Sequence, residues 1–140
     1  MADRDNMELW EKDQIEKHGW FIHYVRLPHG LINCHTHGME SKHNHPNLQI
    51  LCPLPPDAAK EIFWTCVRRI ESGERFPLHE NVDGIIQGLS VRFIKANECR
   101  RPVLRIIFPD RDGNLEKDQI AYPFGKQYTD VDVGENPEDI

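Results

Sequence analysis

Four of the eight histidines, His35, His37, His43 and His45, fall within eleven consecutive positions. Imidazole is the commonest metal-ligating side chain. In an extended strand, residues two apart point to the same face, with Cα atoms about 6.6 Å apart. His35 and His37 can therefore aim at one point, as a His-x-His metal pair requires. His45 precedes Pro46, which biases it toward extended geometry. A tight reversal over residues 38–42 would bring all four rings together. Nitrogen ligands at about 2.0–2.1 Å suit zinc, and suit copper or nickel equally. The same spacing also describes a plainer arrangement, a histidine-rich loop at a strand edge with its imidazoles bonded to backbone. Glu40 is the one carboxylate in the segment, so a carboxylate partner for a ligating ring has to come from elsewhere in the chain.

Other reactive groups point to less. Cys34 neighbours His35, but adjacent strand side chains face opposite ways, so the two cannot form a nucleophilic dyad. Arg92, Lys95, Arg100, Arg101 and Arg105 make the one basic stretch, with Glu98 inside it. A hairpin symmetric about residues 98 and 99 would set Arg92 opposite Arg105. Like charges so opposed are unfavourable, which makes Arg92 and Arg105 candidate contacts for an anion or an acidic partner, against the plainer reading of solvated or internally paired arginines. Asp110, Asp112, Asn114 and Glu116 alternate as in a calcium loop but lack the full pattern and follow a strand, so a turn is expected. No phosphate-binding glycine loop, nucleophile elbow or H-E-x-x-H occurs.

The elements that must position these groups are legible in outline. Asp5 and Glu8 have the form of a capping box, opening a short helix that Gly19 stops. Residues 20–27 are aromatic and β-branched and predict a strand. Pro28-His29-Gly30 is a turn, residues 31–37 a second strand, residues 38–46 a polar loop, and residues 47–52 a third strand. After Pro55-Pro56, the positions Ala59, Ile62, Phe63, Cys66, Val67 and Ile70 recur at helical spacing and predict one buried face. Asp57 and Arg68-Arg69 match the helix dipole. A loop with an Asp83-Gly84 turn follows. Residues 89–95 and 103–108 then predict a hairpin whose second strand is interior. The expected fold is α+β: a largely antiparallel sheet of five or six strands, with one long helix and a short N-terminal helix packed on it.

The chain has 140 residues, 39% of them hydrophobic and 29% charged, which suits one domain. A net charge of −6 argues against a general nucleic-acid binder. No apolar run approaches the roughly 18 residues of a membrane span, and no secretory leader is visible. Cys34, Cys52, Cys66 and Cys99 contain no C-x-x-C pair, so free thiols and a cytoplasmic location are expected. Asp130, Asp132, Glu135, Glu138 and Asp139 make residues 125–140 an acidic tail, expected to be solvated beyond a globular body spanning residues 1–124.

Four features occur in order: Gly19-Trp20, the segment His35-Thr-His-Gly-Met39, then His45-Pro46-Asn-Leu48, and the apolar strand 103–108 ending in Pro109-Asp110 with Gly113. They resemble the bacterial domain of unknown function 4262 family over roughly residues 13–115. Members of that family carry Gly-Trp, Tyr-Thr-x-Gly-Leu, Gly-His-Pro-Glu-Leu and Trp-Pro-Asp. Here His35 stands for the Tyr, His37 for an aliphatic residue, Asn44 for the Gly and Asn47 for the Glu. The resemblance implies a fold and a bacterial origin, and no reaction. The functional expectation is an accessory or protein-interaction domain, possible examples being immunity-type neutralisers of a toxin. A homodimer is the default for such a domain. The alternative is a metal-binding protein or metalloenzyme that uses His35, His37, His43 and His45, with zinc as the first candidate ion.

Overall fold

The computed structural model describes residues 2–131, and side chains from residue 9 onward. Helix α1 spans Ala2–His18, followed by strand β1 (Phe21–Arg26), a single 3-10 turn (Pro28–Gly30) and strand β2 (Ile32–His37). A short helix, α2 (Met39–His43), leads into β3 (Asn47–Cys52), and α3 spans Pro56–Glu71. Strands β4 (Val82–Ile86), β5 (Leu89–Glu98) and β6 (Arg101–Ile107) complete a six-stranded sheet in the order β1-β2-β3-β6-β5-β4. All neighbours are antiparallel except β3 and β6. A parallel pair needs a long crossover, and α3 with the β4–β5 hairpin supplies it.

The sheet has two unlike faces. One carries Cys34, Leu48, Ile50, Phe93 and Ile106 and packs on the buried face of α3 (Ala59, Ile62, Phe63, Cys66, Val67 and Ile70) in a continuous apolar core. These are the six positions the helical spacing picked out. Pro56 occupies the first turn of α3, where its missing N–H costs nothing. The opposite face is mixed. Val25, Leu27, Leu31 and Leu51 form one small cluster, and Ile94, Ile107, Leu115, Ile120, Phe124 and Tyr128 form another. Between them runs a row of polar side chains aligned across the strands, His23 opposite His35, His35 opposite Gln49, and Gln49 opposite Arg105.

Several boundaries differ from the expected ones, each for a local reason. Helix α1 has 17 residues, as long as α3 with 16, and begins before Asp5. Leu9, Trp10 and Ile15 remain exposed on it, so no buried apolar face marks its extent in the sequence. The loop after β2 contains the single turn of α2, because the Asn47 Oδ1 accepts the Met39 N–H at 3.1 Å and the Thr36 hydroxyl at 3.2 Å. Asp83-Gly84 lies inside β4, where Gly84 adopts a φ of +88° beside a shift in register. A bulge absorbs the turn signal there. The boundary expected after residue 124 falls at the start of a 3-10 turn, Phe124–Tyr128. Gln127 in that turn is buried, with its amide bonded to both the N–H and the C=O of Phe108 at 2.7 and 2.9 Å. The acidic tail beyond Val131 lies outside the described residues.

Two glycines of the shared motifs pack against each other. Gly38 has a φ of +100°, and a Cβ there would meet the Gly19 carbonyl at 2.5 Å and Ile15 Cδ1 at 2.9 Å. The close approach of these two backbones ties the end of α1 to the end of β2, and only glycine permits it.

Candidate metal centre

Among the described residues, His23, His35 and His37 form a group whose potential ligand atoms all lie within 4.8 Å of one another. Strand pairing produces it. His35 and His37 share a face of β2 by the period of two, and β1 pairs with β2 so that His23 lies opposite His35. The ring centroids are separated by 4.4 Å (His23–His37), 4.8 Å (His35–His37) and 5.5 Å (His23–His35). Phe21, opposite His37 in register, stacks on its ring at 5.1 Å with the planes 16° apart. His35 is 1% exposed, while His23 and His37 are half-buried at the edge. The group is thus reachable from solvent on one side and shielded on the other.

Two carboxylates flank it. Glu11 on α1 lies 3.1 Å from His23 Nε2, an outer carboxylate contact of the kind that orients a ring. Glu98, buried at the end of β5, places Oε1 3.5 Å from His35 Nε2. These are the carboxylate partners that the histidine segment itself did not contain.

Of the four histidines expected to converge, the structure brings together His35 and His37 and adds His23. His43 and His45 do not join that group. Asn44 adopts a left-handed conformation at the end of α2, and the chain there is spent on the turn into β3. His45 is buried, its Nδ1 2.7 Å from its neighbour's carbonyl at Pro46. Burial pushes its basicity below the ordinary imidazole value, and Arg75 and His43 push the same way, while the Pro46 carbonyl opposes them. A signal for His23 existed in the sequence. Folding residues 20–37 symmetrically about His29, the middle of the expected turn, sets position 23 against position 35.

The basic stretch also resolves differently. The β5–β6 register sets Arg92 against Ile107 and Arg105 against Ile94, two residues away from the opposition of Arg92 and Arg105 expected from a hairpin centred on 98 and 99. The turn is tighter and later, with Cys99 and Arg100 both at positive φ. Arg92 pairs with Glu116 at 2.8 Å and with Asn81 at 2.8 Å. Arg105, 1% exposed, donates to Gln49 Oε1 at 2.6 Å and to the carbonyls of Gln127 and Thr129 at 3.0 and 2.9 Å. Asp110 uses its carboxylate on its own loop. It accepts the N–H groups of Ala121, Asn114 and Asp112, each at 2.9 Å, and these bonds hold its pKa below the usual carboxylate range. The loop is the turn that was expected. All four cysteines are free, with Cys99 exposed and the other three buried. Burial pushes the thiols of Cys34 and Cys66 up to about 12, so they are packing groups rather than nucleophiles.

No helix among the described residues is long and apolar enough to cross a membrane. Neither a curated protein nor a solved structure matches the chain. A family model does, over residues 14–119. That stretch holds both strands of the histidine hairpin, the two packed glycines and the whole sheet. With more than half of its length matched, the chain belongs to the domain of unknown function family DUF4262.

Proposed function

We propose that this chain binds a divalent transition-metal ion, zinc in the first instance, through His23, His35 and His37. The observation that carries the reading is the mutual approach of three imidazole ligand atoms to within 4.8 Å on one sheet face. Metal–nitrogen bonds of about 2.0–2.1 Å at tetrahedral angles put neighbouring ligand atoms about 3.3–3.4 Å apart, so the widest side of the triangle closes by roughly 1.4 Å on binding. Ring rotations of His23 and His37, which are half-buried, are enough for that. A cytoplasmic setting and a bacterial source belong to the same reading. The free thiols support the first, and the motif resemblance supports the second. The reading as an accessory or protein-interaction domain rests on the net charge of −6 and on the lack of a recognisable catalytic motif, and most of the acidic tail that would meet a basic partner lies outside the described residues.

Titration of tag-free, metal-depleted protein with zinc against a chromophoric chelator tests the proposal. The expected result is one ion per chain, bound far more tightly than a surface histidine binds. That binding is lost in His35→Ala/His37→Ala and in His23→Ala, and kept in His43→Ala/His45→Ala. Equal affinity in the wild type and the His35→Ala/His37→Ala variant overturns it.

A further inference from the structure

Independently of the histidines, we propose that the cavity between α1, β1 and α3 binds a small betaine-type zwitterion, a trimethylammonium group joined to a carboxylate. All three tryptophans of the chain line it. Trp10 comes from α1, Trp20 precedes β1 and Trp64 comes from α3, with Phe21 and Tyr24 of β1 beside them. Core packing accounts for Trp20, which is 3% exposed, but not for Trp10, which remains 43% exposed. A role as one wall of this cavity accounts for Trp10. The Tyr24 hydroxyl donates to the Leu54 carbonyl at 2.6 Å, so the cavity meets Tyr24 mainly as an aromatic ring.

Shape and charge select the ligand. The contacting rings are steeply tilted, Trp20 against Trp64 by 62° with centroids 4.7 Å apart, and Trp10 against Phe21 by 77° at 6.0 Å. A flat ligand stacks in a slot between parallel rings, whereas rings set at steep angles enclose a rounded group. A quaternary ammonium is rounded, has no N–H to satisfy, and is attracted to aromatic faces, those of Trp most strongly. The cavity volume is about 220 Å³. An apolar cavity of about 150 Å³ holds benzene, and on that scale this one holds roughly nine non-hydrogen atoms, enough for a trimethylammonium group and a short acid. Asp57 and Lys60, both exposed on the first turns of α3, bring opposite charges to the lining. The Asp57 carboxylate favours the ligand's ammonium, and the Lys60 ammonium takes its carboxylate.

Titration of the full chain with glycine betaine, followed by tryptophan fluorescence and by calorimetry, tests this. Saturable binding of one betaine per chain is expected. The anion of tert-butylacetic acid, which has the same shape with carbon in place of the charged nitrogen, should bind at least about tenfold more weakly. Trp64→Leu should weaken betaine binding by at least about tenfold, and the more exposed Trp10→Leu by about 2–5-fold. Lys60→Met should weaken betaine about 2–5-fold and leave choline, which has the ammonium without the acid, unchanged. Absence of saturable betaine binding overturns the site. Equal affinity for the tert-butyl isostere, or unchanged betaine affinity in folded Trp10→Leu, overturns recognition of a cation by the aromatic walls. A Lys60→Met variant that binds betaine as the wild type does, or that loses choline equally, overturns the placing of the carboxylate.

Discussion

Arg105 Nε donates to Gln49 Oε1 at 2.6 Å across the only parallel pair of strands in the sheet. Both side chains are buried. A guanidinium taken out of water is costly unless its donors are satisfied, and this one also meets the carbonyls of Gln127 and Thr129. The interior of the mixed face is therefore organised by polar contacts, and the segment after residue 123 is fastened to the sheet by the same cation.

Replacing that cation should be among the most damaging changes outside the proposed centre. Arg105→Met strands the Gln49 amide and two carbonyls, and we expect a loss of about 2–4 kcal/mol in urea unfolding. Arg105→Lys keeps the charge but not the fork, and should recover only part of it. A loss below about 0.5 kcal/mol in Arg105→Met, the range of ordinary surface changes, would refute the fastening role.

Gly38→Ala should cost about 2–3 kcal/mol, combining the left-handed backbone with a clash against the Gly19 carbonyl. Gly30→Ala is the control. Gly30 has a φ of +76° with nothing within 4 Å of the new methyl, so only the backbone penalty of about 1 kcal/mol applies there. Thermal melts of the two variants should rank them in that order.

The pH dependence of stability should carry the mark of His45. Its folded-state basicity is lowered, chiefly by burial, so on acidification the unfolded chain takes up a proton before the folded one does. Stability contributed by keeping this ring neutral is full above the unfolded value of about 6.5. It declines as pH falls from there toward the lowered folded value, and levels off below it. His45→Asn should flatten the slope of melting temperature against pH in that window. An unaltered slope in the variant counts against the assignment.

Thiol reactivity should divide the cysteines three to one. In native protein a disulfide reagent should modify Cys99 alone, giving one equivalent per chain, because the other three are buried and high acidity thresholds keep Cys34 and Cys66 protonated. In denaturant all four should react. Native labelling of Cys66, read by peptide mapping, would mean that α3 opens from the sheet.

Metal affinity should also fall with acid, because ligating imidazoles must be deprotonated. Zinc bound at about pH 7.5 should be released progressively as pH drops through the imidazole range, and metal-dependent gains in melting temperature should vanish with it. A gain that persists unchanged at about pH 5 is not the work of histidine ligands.

The sequence by itself determined the local periodicities. The six core positions of α3, the strand runs other than β4, the interior character of β6 and the shared face of His35 and His37 all follow from repeats of 3.6 or 2, which a single segment displays without its neighbours. Motif order added the family. What local patterns cannot carry is register between segments and the approach of distant ends. The pairing of β1 with β2 decided that His23 joins His35 and His37. One turn of helix held by Asn47 decided that His43 and His45 do not. A hairpin turn centred one residue later than expected decided that Arg92 and Arg105 do not oppose each other. Glu98 lies 3.5 Å from His35 because the parallel pairing of β3 with β6 brings the β5–β6 hairpin to the side of β3 away from β2. Register is set by turn geometry and by which face is buried, and both are properties of the folded whole.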